Sequence, residues 1–507
     1  MKISILSFSI LLFAYFINPE SLKAQERQQT LTFTEAYLQM QENSHVIKQS
    51  GYLVKEKEAE RKATLGIRMP RVSLMASAIK MADPLELDLT PVRDAINPLY
   101  SALGNYGVFS GVPNPDPATA SVMPVLPDNI STQVVRASLL EGQKTINEAE
   151  WIKTIQKEQF ATVQANVLWP LYTGGKINAA MKASEIEKEE AELNGQLKQS
   201  ELLSELVARY YGQSLAQQAV KVRRQVLEAM QKHFYDAQKL SEQGQIAKVQ
   251  LLHAQVAVSD AERELNKSKR ELEIIERALQ NTLAIEESTP VTTVSPLFVL
   301  KEVEDESYFI ELARNNNTHL KLVESKKELA GVGVRYEKSN YLPTVALSGT
   351  YDLADKDLSP YIPEWTVGLG LKWTLFEGNT RYRKLQSAKY KQDQVEEAGQ
   401  KAQEDIFTGI RKYHQELNMQ NEQLEGLSKT LEFATIYQES QAKAFSEGIA
   451  SSSDLVDANL LVAKVRIDRL QAMYKFDTAL ANLLQLCGSP QLFVAYQSGE
   501  QVVSESL

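Results

Sequence analysis

The sequence has one cysteine, Cys487, and five scattered histidines among its 507 residues. A single thiol cannot build a disulfide framework, and no cysteine is available for lipid attachment near the N-terminus. The histidines lack metal-ligand spacing, and neither a Gly-x-Ser-x-Gly element nor a phosphate loop occurs. We therefore predict no catalytic residue, no metal and no cofactor, and we do not expect an enzyme.

The sequence also lacks a basic character and long apolar runs. The net charge of -10 gives no field for nucleic acid. The apolar run at residues 3–17, with Ala24 beyond it, predicts a signal peptide over residues 1–24. An N-terminal anchor helix is the alternative, which the shortness of this run disfavours. No later stretch approaches eighteen unbroken apolar residues, so an exported chain would enter a membrane only by strands.

Residues 365–375 predict such a strand. Because side chains alternate along a strand, one face carries only apolar residues, namely Trp365, Val367, Leu369, Leu371, Trp373 and Leu375. The other face is small or polar and includes Thr366, Gly368, Gly370 and Lys372. The length and the terminal tryptophans are typical of a membrane-crossing barrel strand, with lipid on the first face and the lumen on the second. A soluble sandwich strand is the alternative.

The chain is internally duplicated. The pattern Trp-x-Leu-aromatic-x-Gly occurs at residues 169–174 and again at 373–378, an offset of 204. Gly244 and Gly448 keep that offset, so both signals hold one register over 70 residues. Helix-breaking prolines, Pro70 and Pro343, precede the first strand of each half.

We therefore divide the mature chain into two repeats. The first, residues 25–285, contains a helix capped by Thr32 or Thr34, a strand, an insertion at 83–159, a strand and a long helical hairpin with its tip at Gly244. A linker with room for one short strand follows at 286–305. The second repeat, residues 306–488, has a short loop in place of the insertion and a hairpin tip at Gly448. Residues 489–507 form an unassigned tail.

Two segments need separate interpretation. Eight of the 17 prolines lie between Pro84 and Pro127, which predicts an irregular insertion, either a lid over a pore or a solvated loop. Residues 131–159 fit a helix or an extended flanking strand. Along residues 251–279 apolar residues recur every seven positions, which predicts a coiled-coil seam. If each helix of the predicted hairpins has up to about 70 residues, it would extend about 100 Å.

Each repeat supplies two membrane strands, and four strands cannot close a barrel. An open edge in lipid leaves backbone groups unpaired. Two copies would give an eight-stranded barrel filled by side chains, whereas three would give twelve strands and a lumen. The small polar strand face favours the wider, wet interior.

The duplicated strand-to-helix motif and the tip at residues 445–458 resemble the TolC-type outer-membrane efflux family. The resemblance implies a mixed α and β membrane protein, in which a trimeric twelve-stranded β-barrel continues into a long periplasmic α-helical coiled-coil barrel. It implies a homotrimer in the cell outer membrane, with its lipid around the barrel, and a periplasmic adaptor and an inner-membrane pump as partners. The function expected is a passive exit channel for efflux or type I secretion. A periplasmic coiled-coil scaffold without membrane strands is the alternative.

The same resemblance assigns site residues. It places Gly244 and Gly448 at adaptor-facing hairpin tips, where plain helix-to-helix turns are the alternative. It assigns Asp454 and Asp457, three residues apart on one helix face, to an acidic ring at the periplasmic gate, where solvated helix acids are the alternative. The first repeat departs from this pattern, with Gln250 and His253 at the matching positions. Neither the cargo nor the latches of the closed state follow from the sequence.

Overall fold

The computed structural model describes residues 29–286, 288–499 and 502–505, so the predicted signal peptide lies outside the described residues. The chain divides into two compact units. The helical unit comprises Met1–Thr64, Ala179–Arg335 and Tyr382–Leu507, and the sheet unit comprises Leu65–Asn178 and Tyr336–Arg381. In the described part of the chain, no helix is long and apolar enough to cross a membrane.

The elements follow in two similar series. The first series is β1 (Gln29–Leu31), α1 (Phe33–Asn43), α2 (His45–Leu65), β2 (Arg71–Lys80), β3 (Leu85–Asp88), α3 (Thr90–Tyr106), α4 (Asp128–Glu148), β4 (Ile152–Gln156), β5 (Gln159–Tyr172), α5 (Lys176–Glu242) and α6 (Lys248–Leu283). The second series is β6 (Val291–Thr293), β7 (Leu297–Leu300), α7 (Glu306–Asn316), α8 (Thr318–Ser339), β8 (Thr344–Lys356), β9 (Trp365–Lys372), α9 (Thr380–Ser446), α10 (Ser452–Leu486), α11 (Leu492–Gln497) and β10 (Val502–Glu505).

The opening helix of each repeat is broken once, which the sequence patterns did not predict. At Ser44 and at Asn317 the backbone leaves the helical region, with ψ of 124° and 120°. Asn317 then starts the next helix, because its side-chain oxygen accepts the backbone N–H of Leu320 at 2.9 Å. Thr32, one of the two predicted caps, starts α1 through a capping box with Glu35.

The long helices carry the duplication. Helices α5 and α9 each have 67 residues, so each extends about 100 Å at 1.5 Å per residue. The return helices α6 and α10 pack on them through apolar side chains. One cluster joins Val222, Val226 and Met230 of α5 to Ala261 of α6 and to Val456 and Ala463 of α10. Of the predicted seam, Leu265 and Leu279 are buried, and Leu251, Val258 and Leu272 are half-buried.

The largest core of the helical unit is aromatic. Phe33, Tyr210, Tyr211, Phe298 and Phe493 contact one another with ring centroids 5.1–5.9 Å apart. The linker and tail contribute to this region. Strand β6 pairs with β1 in parallel, and β7 pairs with β10 antiparallel. The linker thus holds two strands where the sequence suggested one, and the tail completes a small sheet.

The sheet unit is built on one four-stranded antiparallel sheet in the order β2-β5-β8-β9. Strand β2 spans the predicted residues 71–80. The expectation of irregular structure between Pro84 and Pro127 is wrong for β3 and for α3, which pairs with α4. Helix α4 agrees with the helical alternative for residues 131–159, and β3 pairs with β4. Pro91 is compatible with helix because it lies in the first turn of α3, where its missing N–H costs nothing.

Candidate channel sheet and hairpin tips

The alternation predicted for β9 continues into its neighbour. Thr366 lies opposite Thr350, and Gly368 lies opposite Ser348. On the other face, Leu369 lies opposite Leu347. Residues that oppose each other across a ladder share a face of the sheet. Both strands therefore present a small or polar face and an apolar face.

Hydrogen bonds extend the polar face over the remaining strands. The Thr350 hydroxyl donates to the Asn166 side-chain oxygen at 3.2 Å, and the hydroxyls of Ser77 and Thr162 are hydrogen-bonded at 2.9 Å. Met75, which lies opposite Gln164, is an apolar exception on this face. The polar side of the sheet thus crosses all four strands.

The predicted strand is too long at its C-terminal end. It ends at Lys372, so Trp373 and Leu375 lie in the connection to α9 and not in the sheet. The physical reason is that Lys372 pairs with Thr344, the first residue of β8. Pro343 precedes that residue and has no backbone N–H, so the ladder stops there.

The tryptophans of the duplicated motif serve as anchors. The Trp373 indole N–H donates to the carbonyl of Tyr341 at 3.0 Å, and the Trp169 indole N–H donates to the carbonyl of Arg68 at 3.0 Å. Each acceptor lies two residues before the proline that precedes the first strand of its repeat. The motif therefore fixes the second strand of each repeat to the start of the first.

Gly244 and Gly448 lie in the turns between α5 and α6 and between α9 and α10. Their φ angles are +71° and +75°, a region that glycine occupies without strain. At the first tip, the N–H of Gly244 donates to Ser241 and that of Gln245 donates to Leu240. The second tip repeats both bonds. These pairs terminate the outgoing helices in the same way.

The two tips pack against each other. Each long helix contributes one buried residue to a shared apolar cluster, namely Ala237, Ala254, Phe445 and Leu455. A groove of about 570 Å³ lies beside this cluster and is lined in part by Lys232, His233 and Asp236. The hairpins of both repeats therefore form one surface at this end of the helical unit.

Asp454 has a structural role that the sequence interpretation missed. Its carboxylate accepts the backbone N–H of Ser451 at 3.0 Å and the Ser451 hydroxyl at 2.7 Å, while the Asp454 N–H donates to that hydroxyl. This capping box starts α10. The same hydrogen bonds from Ser451 hold the pKa of the Asp454 carboxyl below its usual value. The pattern Ser451-x-x-Asp454 could have revealed it. Asp457 lies three residues further along α10 and is exposed.

His233 was also missed. It is buried, its Nε2 lies 2.7 Å from the Ser452 hydroxyl, and its ring lies 4.6 Å from that of Phe445. Burial lowers the pKa of this imidazole. It thus joins α5 of the first repeat to the first residue of α10. No local pattern predicts this contact, because its partners are 219 residues away.

Known proteins share this architecture. The structure aligns with that of the outer-membrane channel OprN at a TM-score of 0.66 and 16% identity, covering 90% of each chain. It aligns with the outer membrane protein VceC from Vibrio cholerae at a TM-score of 0.66 and 12% identity, covering 90% of this chain and 96% of the other. At these identities the likeness establishes the fold.

Sequence comparison gives two further matches. Protein CyaE of Bordetella pertussis is 24% identical over 228 residues, which is 44% of this chain and 48% of that protein. The chain therefore aligns with about half the length of this relative. The family model for outer membrane efflux proteins matches residues 143–284 and 309–489, which include both long hairpins. The chain belongs to the outer membrane efflux protein family.

Proposed function

We propose that this protein is the outer-membrane exit channel of a tripartite efflux or type I secretion system. Three copies would close a twelve-stranded barrel, four strands from each, and their long helices would form a periplasmic coiled-coil tube. The observation that carries the proposal is the open sheet. Within the described chain, β2 pairs only with β5 and β9 only with β8. Unpaired edges are costly in lipid, and closure with other copies removes them.

The two sheet faces support the orientation within that barrel. The apolar face of β9 would contact lipid, and the face with Thr366, Gly368 and Gly370 would line the lumen. Leu369 is 70% exposed in the single chain. A scaffold without membrane strands, the alternative function, would leave such side chains in water, which costs free energy. Membrane insertion covers them.

The hairpin tips support the partner assignment. In the assembled trimer, Gly244 and Gly448 would face a periplasmic adaptor, and an inner-membrane pump would supply the energy. Asp454 and Asp457 would place six carboxylates around the opening. Such a ring favours cations by local potential rather than by a binding site. The channel itself would be passive.

The test is assembly and conduction by the full-length protein. After signal removal it should fractionate with the outer membrane, migrate as a trimer in mild detergent and form channels in planar bilayers. A matched control is Gly370→Pro, which interrupts β9, since proline cannot donate in a ladder; it should lose trimer and conductance together. Recovery of the native chain as a stable soluble monomer would refute the proposal.

A further inference from the structure

The insertion in the first repeat is an ordered structure within the sheet unit. Gln156 anchors its base, because its side-chain N–H donates to the Asp357 carbonyl at 2.9 Å and its side-chain oxygen accepts the Ser359 N–H at 2.7 Å. The partners belong to the connection between β8 and β9. Farther from the sheet along the chain, the Arg136 guanidinium of α4 donates to the carbonyl of Gly107, the residue that follows α3, at 2.7 Å. The base of the insertion and the C-terminal end of α3 are thus fixed.

Helix α3 contacts α4 by its polar and glycine-containing side. A Cβ at Gly104 would lie 2.8 Å from Leu140, so the helices approach closely there. Gln143 donates to the carbonyl of Asn97 at 3.5 Å. This side of α3 is therefore covered by α4 of the same chain.

The apolar side of α3 is left uncovered. We name as the α3 stripe the residues Val92, Ala95, Leu99, Leu103 and Tyr106. Their spacing of three and four residues places them on one face of a helix. The exposed fractions of Val92, Leu99 and Tyr106 are 47%, 58% and 82%. The following loop adds Val108 and Val122, at 81% and 89%. An apolar surface of this kind marks an interaction site.

The charge distribution indicates what covers the stripe. Between Ala95 and Pro127 the only charged residue is Asp116, although charged residues make up 24% of the chain. Where three identical copies meet around a symmetry axis, residues near the axis lie close to their own counterparts. A charge there would meet a like charge and repel it. An uncharged apolar surface therefore fits other copies of this chain.

The position of the insertion in the fold also favours contact between copies of this chain. The insertion leaves the sheet from Lys80, the last residue of β2, and one edge of β2 is unpaired among the residues that the structure describes. In the proposed barrel that edge meets a neighbouring copy. We propose that the α3 stripes of the three copies pack against one another and form an apolar cap beyond the strand ends, at the outer mouth of the channel. This proposal rests on the trimeric channel proposed above.

Cysteine cross-linking of the full-length protein in outer membranes tests it. Native Cys487 is buried, so an added cysteine is the accessible one. A short bis-maleimide should link copies carrying Leu99→Cys into covalent dimers several-fold more than copies carrying Lys144→Cys, a matched position on the exposed side of α4. Val92→Cys should also cross-link, and the added change Leu99→Glu should abolish that product through like-charge repulsion.

The outcomes separate the two proposals. Equal linkage at positions 99 and 144, or Val92→Cys linkage that persists beside Leu99→Glu, would overturn the cap. So would a thiol in the Leu99→Cys variant that is protected from an impermeant maleimide without linkage between copies, since lipid or another protein would then cover the stripe. If trimers assemble but the Leu99→Cys copies are not cross-linked, the channel proposal stands and only the cap is refuted. Absence of trimers in the native protein refutes both.

Discussion

Asp454 and Asp457 lie on one face of α10 but are held differently. Asp454 is engaged by Ser451 in the capping box, whereas Asp457 is an exposed side chain one turn further on. We expect Asp457→Asn to lower the cation selectivity of the channel and to weaken block by divalent cations added from the periplasmic side. The reason is that three charges leave the opening while the helix start is preserved. Single-channel recordings in planar bilayers measure both.

Asp454 needs a control that separates charge from capping. Asp454→Ala removes both, and Ser451→Ala removes the capping box alone. Selectivity should fall in the first and stay at the native level in the second. If Asp457→Asn and Asp454→Ala both keep native selectivity and block, these carboxylates are ordinary solvated helix acids.

His233 makes the tip sensitive to acid. Its pKa in the folded protein is lowered by burial, so the folded state resists the proton that the unfolded imidazole accepts at about pH 6.5. Stability from this group is therefore complete above that pH and is lost as the pH falls from there through the lowered pKa of the folded state. Asp236 partly opposes the shift, and His253 adds to it. After correction for the pH dependence of the intrinsic exchange rate, we expect weaker protection of backbone amides at the tip at pH 5.5 than at pH 7.5.

The chain offers a matched control for this effect. His253 is a histidine in the same region whose side chain is exposed, so its replacement leaves the buried contact of His233 with Ser452 in place. His233→Gln should abolish the pH dependence of the protection factors at residues 445–455, and His253→Gln should preserve most of it. Equal pH dependence in the native protein and in His233→Gln would assign the effect to other groups.

At the scale of the element, β9 allows a direct comparison of its two faces. Leu369→Arg would put a charge on the apolar face, at a cost of roughly 2–4 kcal/mol near the bilayer midplane. Gly370→Arg should be tolerated better, because its side chain would point to the polar face. The nearest atom to a Cβ at Gly370, the Ala346 carbonyl oxygen, is 3.9 Å away, so the site has room. The yield of assembled trimer measures the difference between the two variants. Equal losses of trimer in both would contradict the assignment of one face to lipid and the other to the lumen.

Elements with a clear period were predictable, and their ends often were not. The alternation of residues 71–80 gave β2 its observed bounds. The end of β9 escaped prediction because it depends on Pro343 in another strand. Helix α3 escaped because prolines usually indicate irregular structure, while Pro91 lies in the first turn and Pro98 is accommodated inside. The contact of His233 with Ser452 depends on the packing of two repeats, which no local pattern encodes.

At the scale of the whole molecule, the two units differ in what one chain buries. The helical unit contains four apolar clusters in its described part, the largest built around Phe33, Tyr210 and Phe298. The sheet unit, all of whose residues the structure describes, has no apolar side chain buried within the single chain. Burial of apolar surface is the main force that stabilises a fold. In the channel that we propose, the sheet unit would gain its stability from lipid and from neighbouring copies.

This contrast predicts stepwise folding of the full-length protein. Refolded without detergent or lipid, the chain should protect backbone amides in α5, α6 and α10 from hydrogen exchange, because their side chains are already buried. Amides in β2, β5, β8 and β9 should exchange quickly until micelles or liposomes are added, and their protection should then appear together with the trimer. Strand amides that are protected in a detergent-free monomer would mean that one chain can stabilise the sheet alone, and the need for a closed barrel of three copies would lose its physical basis.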